Sequence, residues 1–198
     1  MADVIANMSM SLDGFVADPE DRIDHLFGWF GSGDVEVRTA VEWATFKTSE
    51  ASAKMLRDAL DNVGALITGR HLFDITQGWG GAHPMGAPVF IVTHEAPADW
   101  PHPDAPFTFV TDGIESAVEQ AKKVAGDKNV AIASTKIAQQ CLNLGLLDGI
   151  QVDLVPVLLG SGVRFFEGLD ATTELTGPEV VEGTGVTHLS YRIKRGGA

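Results

Sequence analysis

The stretch Val130–Leu147, VAIASTKIAQQCLNLGLL, turns from an apolar run into a helical pattern across Ser134, Thr135 and Lys136. The apolar half reads as a strand buried on both faces. The second half places Ile137, Cys141 and Leu144 on one helical face, with Ala138 and Leu142 beside them. In a nucleotide-binding α/β protein, a glycine-rich turn at such a join holds a phosphate against the helix amides. Here the join has no glycine. Three readings stand: a phosphate site built without glycine, a lost site, or a plain helix start.

On either side of this stretch, similar units recur. Strand-like runs fall at 3–10, 64–69, 88–94, 107–111, 129–134, 149–159 and 186–194. Most are continuously apolar. The last alternates, with Val186, His188, Ser190 and Arg192 on one side, as an antiparallel or edge strand does. Helical patterns lie between them. Residues 49–62 carry a stripe of Ala53, Leu56 and Leu60. Residues 112–126 open on Asp112 and Glu115 at capping-box spacing and stop at Gly126. Residues 41–50, VEWATFKTSE, are read as an amphipathic helix that puts Glu42 and Phe46 on one face. Strands alternating with helices predict an α/β protein: a central, mostly parallel sheet flanked by helices, with an antiparallel C-terminal strand.

The chain of 198 residues suits one substantial core, so residues 1–198 are read as a single domain. No apolar run is long enough to span a membrane, and Asp3 with no basic cluster argues against a signal peptide. The lone Cys141 excludes an intrachain disulfide and fits a cytoplasmic protein. With 14 basic against 27 acidic side chains, the net charge of −13 disfavours nucleic acid as a partner. The densest basic patch is the C-terminal RIKRGGA, read as a solvated tail. The histidines show no zinc spacing, so no metal site is expected.

Candidate chemistry clusters after the strands. SLDGFVAD (11–18) is a turn that either simply reverses the chain or lays Phe15, Val16 and Ala17 over a ligand. In LITGRHLFD, Gly69 lets the chain turn and Arg70 starts a short helix, a suitable anion contact. In FIVTHEAP, a strand ends at Thr93 followed by the titratable His94. Two long loops, 27–36 and 77–88, pair glycine with tryptophan and are read as functional.

In this order, SMSLDGFVAD, LITGRHLFD, PVFIVTHEAP and GLLD…PVLLGSGVRFF resemble the dihydrofolate-reductase-like superfamily, and within it the RibD C-terminal reductase branch. The resemblance spans residues 3–193. It implies a reductase that transfers a hydride from NADPH to a C=N or carbonyl of a small heterocycle. The candidate activities are those of 5-amino-6-ribosylaminouracil-phosphate reductase and dihydrofolate reductase. By the same resemblance, Val16 and Ala17 border the nicotinamide, and Gly69 and Arg70 meet the phosphates. Thr93 and His94 lie near the adenosine 2′-phosphate, and the turn with Ser134, Thr135 and Lys136 faces the pyrophosphate. The 77–88 loop is placed at the substrate pocket. Glu42 and Asp13 are rival proton donors, Glu42 by its spacing to Phe46. A homodimer through the C-terminal strands is expected. Where the family carries Gly-Gly this chain has Ala133-Ser134, so a non-catalytic nucleotide-binding relative is the alternative.

Overall fold

The computed structural model describes residues 2–194; residues 195–198 of the basic tail lie outside the described residues. The first strand, β1 (Val4–Ser11), leads through a tight turn into β2 (Phe15–Ala17). A short helix α1 (Asp24–Phe27) and a 3-10 turn (Gly28–Gly31) precede a hairpin of β3 (Val35–Arg38) and β4 (Thr45–Thr48). Next come α2 (Glu50–Asn62), β5 (Val63–Gly69), α3 (Arg70–Ile75), β6 (Val89–Val92) and β7 (Phe107–Val110). Then follow α4 (Ile114–Ala125), β8 (Asn129–Ile132), α5 (Thr135–Asn143), β9 (Gly149–Val155), β10 (Val163–Arg164), β11 (Leu175–Gly183) and β12 (Val186–Ile193).

Eight strands form one sheet in the order β11-β12-β9-β1-β8-β5-β6-β7. From β9 to β7 neighbours run parallel, and β12 and β11 close that edge antiparallel. The parallel strands therefore share one carboxyl edge, with β1 at its centre. One face is sealed by α4 and α5, whose Ala117, Ala121, Ile137 and Cys141 pack on Val4, Ala6, Ile67, Val130 and Ile132. Burying each large aliphatic side chain there contributes about 1.5–3 kcal/mol. Cys141 is one of these packing residues, and burial pushes its thiol up to about 12.

The helix starts are local chemistry. Ser49 caps α2 by accepting from the Ser52 amide at 3.3 Å. The predicted capping box of α4 does not form: Gly113 holds the cap position, and Asp112 accepts from the Ser116 hydroxyl instead. Leu144 lies past the end of α5 and is half exposed.

Residues 41–50 correct the helical reading. Val41–Ala44 form a turn closed by Ala44 N–H donating to Val41 O, and Thr45–Thr48 pair with β3. Consecutive β-formers at Thr45, Phe46 and Thr48 outweigh the helical spacing once β3 offers a partner. Phe46 stacks on Phe30 at 4.2 Å, while Glu42 is exposed in the turn. The shared helical face that nominated Glu42 does not exist.

Candidate functional site at the carboxyl edge of the sheet

The turns after β1, β5, β6 and β8 all emerge on one edge, the ligand-facing edge of open α/β sheets. At the centre, Gly69 and Ser134 adjoin. A Cβ on Gly69 would lie 3.1 Å from Ser134 Oγ and 3.5 Å from Ile137 Cγ1. The turn into α5 needs no glycine conformation. Ser134 is extended (φ −135°, ψ 130°), and Ala133 has no positive φ. The Ser134 hydroxyl does not cap α5, so the first-turn amides keep their orphan donors on the edge. Thr135 is half-buried and Lys136 exposed beside them.

Further along, two side chains converge on one carbonyl. Arg70 Nη1 donates to Glu95 O at 3.0 Å, and Thr93 Oγ1 donates to the same oxygen at 2.8 Å. Arg70 Nε also donates to Asp74 at 2.7 Å, and His94 is exposed between Thr93 and Glu95. The structure thus brings Gly69 beside Ser134, and Arg70 beside Thr93 and His94.

On the other side of β1, β2 carries half-buried Val16 and buried Ala17. It pairs with β10 through Ala17–Val163 and Phe15–Arg164. Asp13 ties this ribbon down. Its Oδ1 accepts from the Ser11 hydroxyl at 2.6 Å and from Leu159 N–H at 3.1 Å, and Oδ2 accepts from Gly160 N–H at 2.7 Å. The Ser11 hydroxyl foremost, with the Gly160 and Leu159 amides and against partial desolvation, holds the carboxyl down to about 2. A carboxylate so fixed clamps the turn after β1 to the chain after β9.

The 77–88 loop goes elsewhere. Met85–Pro88 lie at the amino ends of the strands, in a hollow with Val63, Gly64 and Lys128, opposite the edge just described. The 27–36 loop instead folds onto the sheet: buried Trp29 donates from Nε1 to Ser9 Oγ at 3.1 Å and packs edge-on against His188 at 5.1 Å.

Below Trp29 lies a buried polar row that the linear pattern does not reveal. Ser52 Oγ is 2.8 Å from His188 Nε2, and His188 Nδ1 is 2.7 Å from Asp153 Oδ1. Ser52 is 0 %, His188 2 % and Asp153 9 % exposed. The alternation of β12 put His188 on its polar-looking side, and the tertiary fold makes that the inner side.

A mostly parallel sheet with helices on both faces, an antiparallel C-terminal pair and a ligand-facing edge around β1 defines a dihydrofolate-reductase-like α/β protein. The profile of the RibD C-terminal domain matches residues 2–189, and the chain belongs to that family. Among solved structures, 98% of the chain superposes on all of a Shewanella sp. PV-4 protein assigned by name to riboflavin biosynthesis, at 22% identity and TM-score 0.75. It also resembles the Thermotoga maritima diaminohydroxyphosphoribosylaminopyrimidine deaminase/5-amino-6-(5-phosphoribosylamino)uracil reductase, at 12% identity and TM-score 0.62. There 98% of this chain spans 57% of the other. The Enterococcus faecalis dihydrofolate reductase complexed with NADP(H) matches at 13% identity and TM-score 0.57, covering 98% of this chain and 97% of that one. Curated protein sequences give no match.

Proposed function

We propose that this chain is an NADPH-dependent reductase that adds a hydride to a C=N or carbonyl of a small heterocycle. The observation that carries the reading is the arrangement at the carboxyl edge, where Ser134 and the α5 amides adjoin Gly69, and Arg70 and Thr93 meet at Glu95 O. These residues fit a dinucleotide. The α5 amides and the Cβ-free surface of Gly69 would hold the pyrophosphate. Arg70, Thr93 and His94 would take a 2′-phosphate, favouring NADPH over NADH. Val16 and Ala17 on β2 would flank the nicotinamide. Bound NADPH supplies the hydride, and the chain orients it. The ribosylaminouracil phosphate of riboflavin synthesis and dihydrofolate are the substrates to try, since proteins bearing those names share the fold.

Fluorescence titration with NADPH, with NADH as control, tests the cofactor reading. Binding in the micromolar range is expected, and no binding below millimolar cofactor overturns it. Turnover is then read at about 340 nm, the absorbance of the reduced nicotinamide, with each substrate. Ala133-Ser134 favours the second reading, a nucleotide-binding relative without catalysis, which predicts NADPH binding and no turnover of either substrate.

The proposal extends to assembly. The runs 149–159 and 186–194 expected to carry it form the interior strands β9 and β12, and the edge is instead β11, whose Leu175 and Val180 are 41 % and 53 % exposed and would be covered by a second copy. Light scattering should give twice the 21.0 kDa chain mass; a monomer refutes it.

A further inference from the structure

Of the two acids nominated as proton donors, Asp13 is committed to Ser11, Leu159 and Gly160, and Glu42 sits in an exposed turn away from the helical face expected for it. The face of the sheet opposite α4 and α5 offers a different group. Register pairs Asn7 with Gln151 and Ser9 with Asp153 across β1 and β9, and Ile5 with Ala131 across β1 and β8. Asn7, Gln151, Ile5 and Ala131 are half-buried, so this face has a polar, small-residue floor where the opposite face has a sealed apolar core. α2 packs over β11 and α3 over β5 and β6. Between them, the carboxyl end of the floor is roofed by Trp29, whose indole N–H is held by Ser9.

Asp153 stands in this floor two residues from the end of β9. Its Oδ1 is held by His188, and His188 is held in turn by Ser52, which accepts from Ser49 Oγ at 3.1 Å. In that arrangement Ser52 O–H donates to Nε2, and Nδ1–H donates to the carboxylate. Among the described residues no hydrogen bond uses Asp153 Oδ2, and the side chain keeps 13 % exposure. That oxygen is open to solvent, so a polar group of a ligand can take the place of water there. The half-buried Asn7 and Gln151 beside it leave amide groups on the same face of the sheet.

We propose that Asp153 is the acid of the reductase site, with His188 and Ser52 as positioning residues that aim its free oxygen at a flat, N–H-bearing heterocycle lying on the Asn7–Ser9–Gln151 floor. The assignment rests on the reductase reading above. Reduction of C=N takes a hydride at carbon, from the dihydronicotinamide that becomes oxidised, and a proton at nitrogen. That proton passes from solvent to the free Oδ2 of Asp153 once the heterocycle is bound and from there to the ring nitrogen, which leaves the carboxylate as it began.

The test has two readouts. The first uses 5,6-diaminouracil as a binding probe without NADPH, followed by calorimetry and by the ring-nitrogen NMR signals of His188. Wild type should bind with a shift of the His188 signals and a change in Trp29 fluorescence. Asp153→Asn should bind about tenfold more weakly, the loss of a hydrogen bond to a charged group. Unshifted His188 signals in wild type, or unchanged affinity in Asp153→Asn, overturn the assignment. The second readout is turnover with NADPH and the ribosylaminouracil phosphate. Asp153→Asn should lose about 100-fold or more in kcat with little change in KM. His188→Leu should lose kcat and alter its pH profile, while His188→Asn, which keeps an N–H toward Asp153, recovers most of both. A merely structural tie between α2 and β12 predicts lowered thermal midpoints with kcat intact in the surviving protein, and that result refutes the proposal. Wild type that binds NADPH but turns over neither substrate removes the reductase reading and this assignment together. Wild-type turnover matched by Asp153→Asn removes the assignment alone.

Discussion

Gly162→Ala is expected to damage the nicotinamide side of the site by a route that Gly160→Ala lacks. Gly162 has φ +142° and Gly160 +76°, so an alanine at either pays for a backbone L-residues avoid, about 1 kcal/mol or more. Space separates them. A Cβ on Gly162 would stand 2.0 Å from Ala17 O, whereas nothing lies within 4 Å of one on Gly160. Relieving that overlap means drawing β10 off β2, whose pairing consists of Val163–Ala17 and Arg164–Phe15. Two lost hydrogen bonds at about 1 kcal/mol each, and about 0.5 kcal/mol for Arg164 over the Phe15 ring, add to the backbone term. The guanidinium sits 4.5 Å from that ring centroid. Gly162→Ala should therefore lose about 3.5 kcal/mol and Gly160→Ala about 1 kcal/mol. In urea, with a slope of about 2 kcal/mol/M, the midpoints fall by about 1.8 M and 0.5 M. Because Val16 and Ala17 ride on the displaced strand, NADPH affinity should fall in Gly162→Ala and hold in Gly160→Ala. Equal midpoints for the two variants would rule out the steric cost assigned to Gly162.

Three further outcomes are expected. Burial pushes His83, whose Nδ1 accepts from Met85 N–H at 3.1 Å, down to about 4 from 6.5. The unfolded chain then binds the extra proton between those values, so stability is intact above pH 6.5 and falls by about 2–3 kcal/mol toward pH 4; urea midpoints against pH should lose that slope in His83→Gln, and an unchanged slope rejects it. The Asp13 carboxyl lies below its unfolded value, so its clamp is intact above about pH 4 and lost as pH falls through about 2; a carbon-13 titration midpoint above about 4 would contradict the bonding described. Ile132→Ala, in the sealed core at 1 % exposure, should cost about 2–5 kcal/mol, while Val124→Ala, 54 % exposed on α4, should stay within about 0.5 kcal/mol.

Much of the fold was legible along the chain because its core strands obey local rules. The runs at β1, β5, β6, β8 and β9 are buried on both faces or nearly so, and their helices carry apolar stripes with recognisable ends. That patterning was enough to anticipate a mostly parallel sheet and to place Gly69, Arg70, Thr93, His94 and Ser134 after strands. The missed strands break those rules. β11 reads Leu-Thr-Gly-Pro-Glu, with a bulge between Thr176 and Glu179, and an edge strand tolerates the glycine and proline that a central one would not. β4 needed β3 as a partner before strand outweighed helix in residues 45–48.

The linear order of residues sets the alternation of elements, hence the shared carboxyl edge and the residues that line it, since strand period and turn chemistry act over a few neighbours. Which residues meet across that edge depends on the folded arrangement. Ser52 and His188 are separated by 136 positions, and Asp13 reaches Gly160 across 147. Such contacts follow from strand order and register, which place β12 beside β9 and β9 beside β1. The same step reversed the meaning of two acids: Asp13, promising in a turn, became a clamp, and Asp153, unremarked within a strand, became the carboxylate with an oxygen to spare.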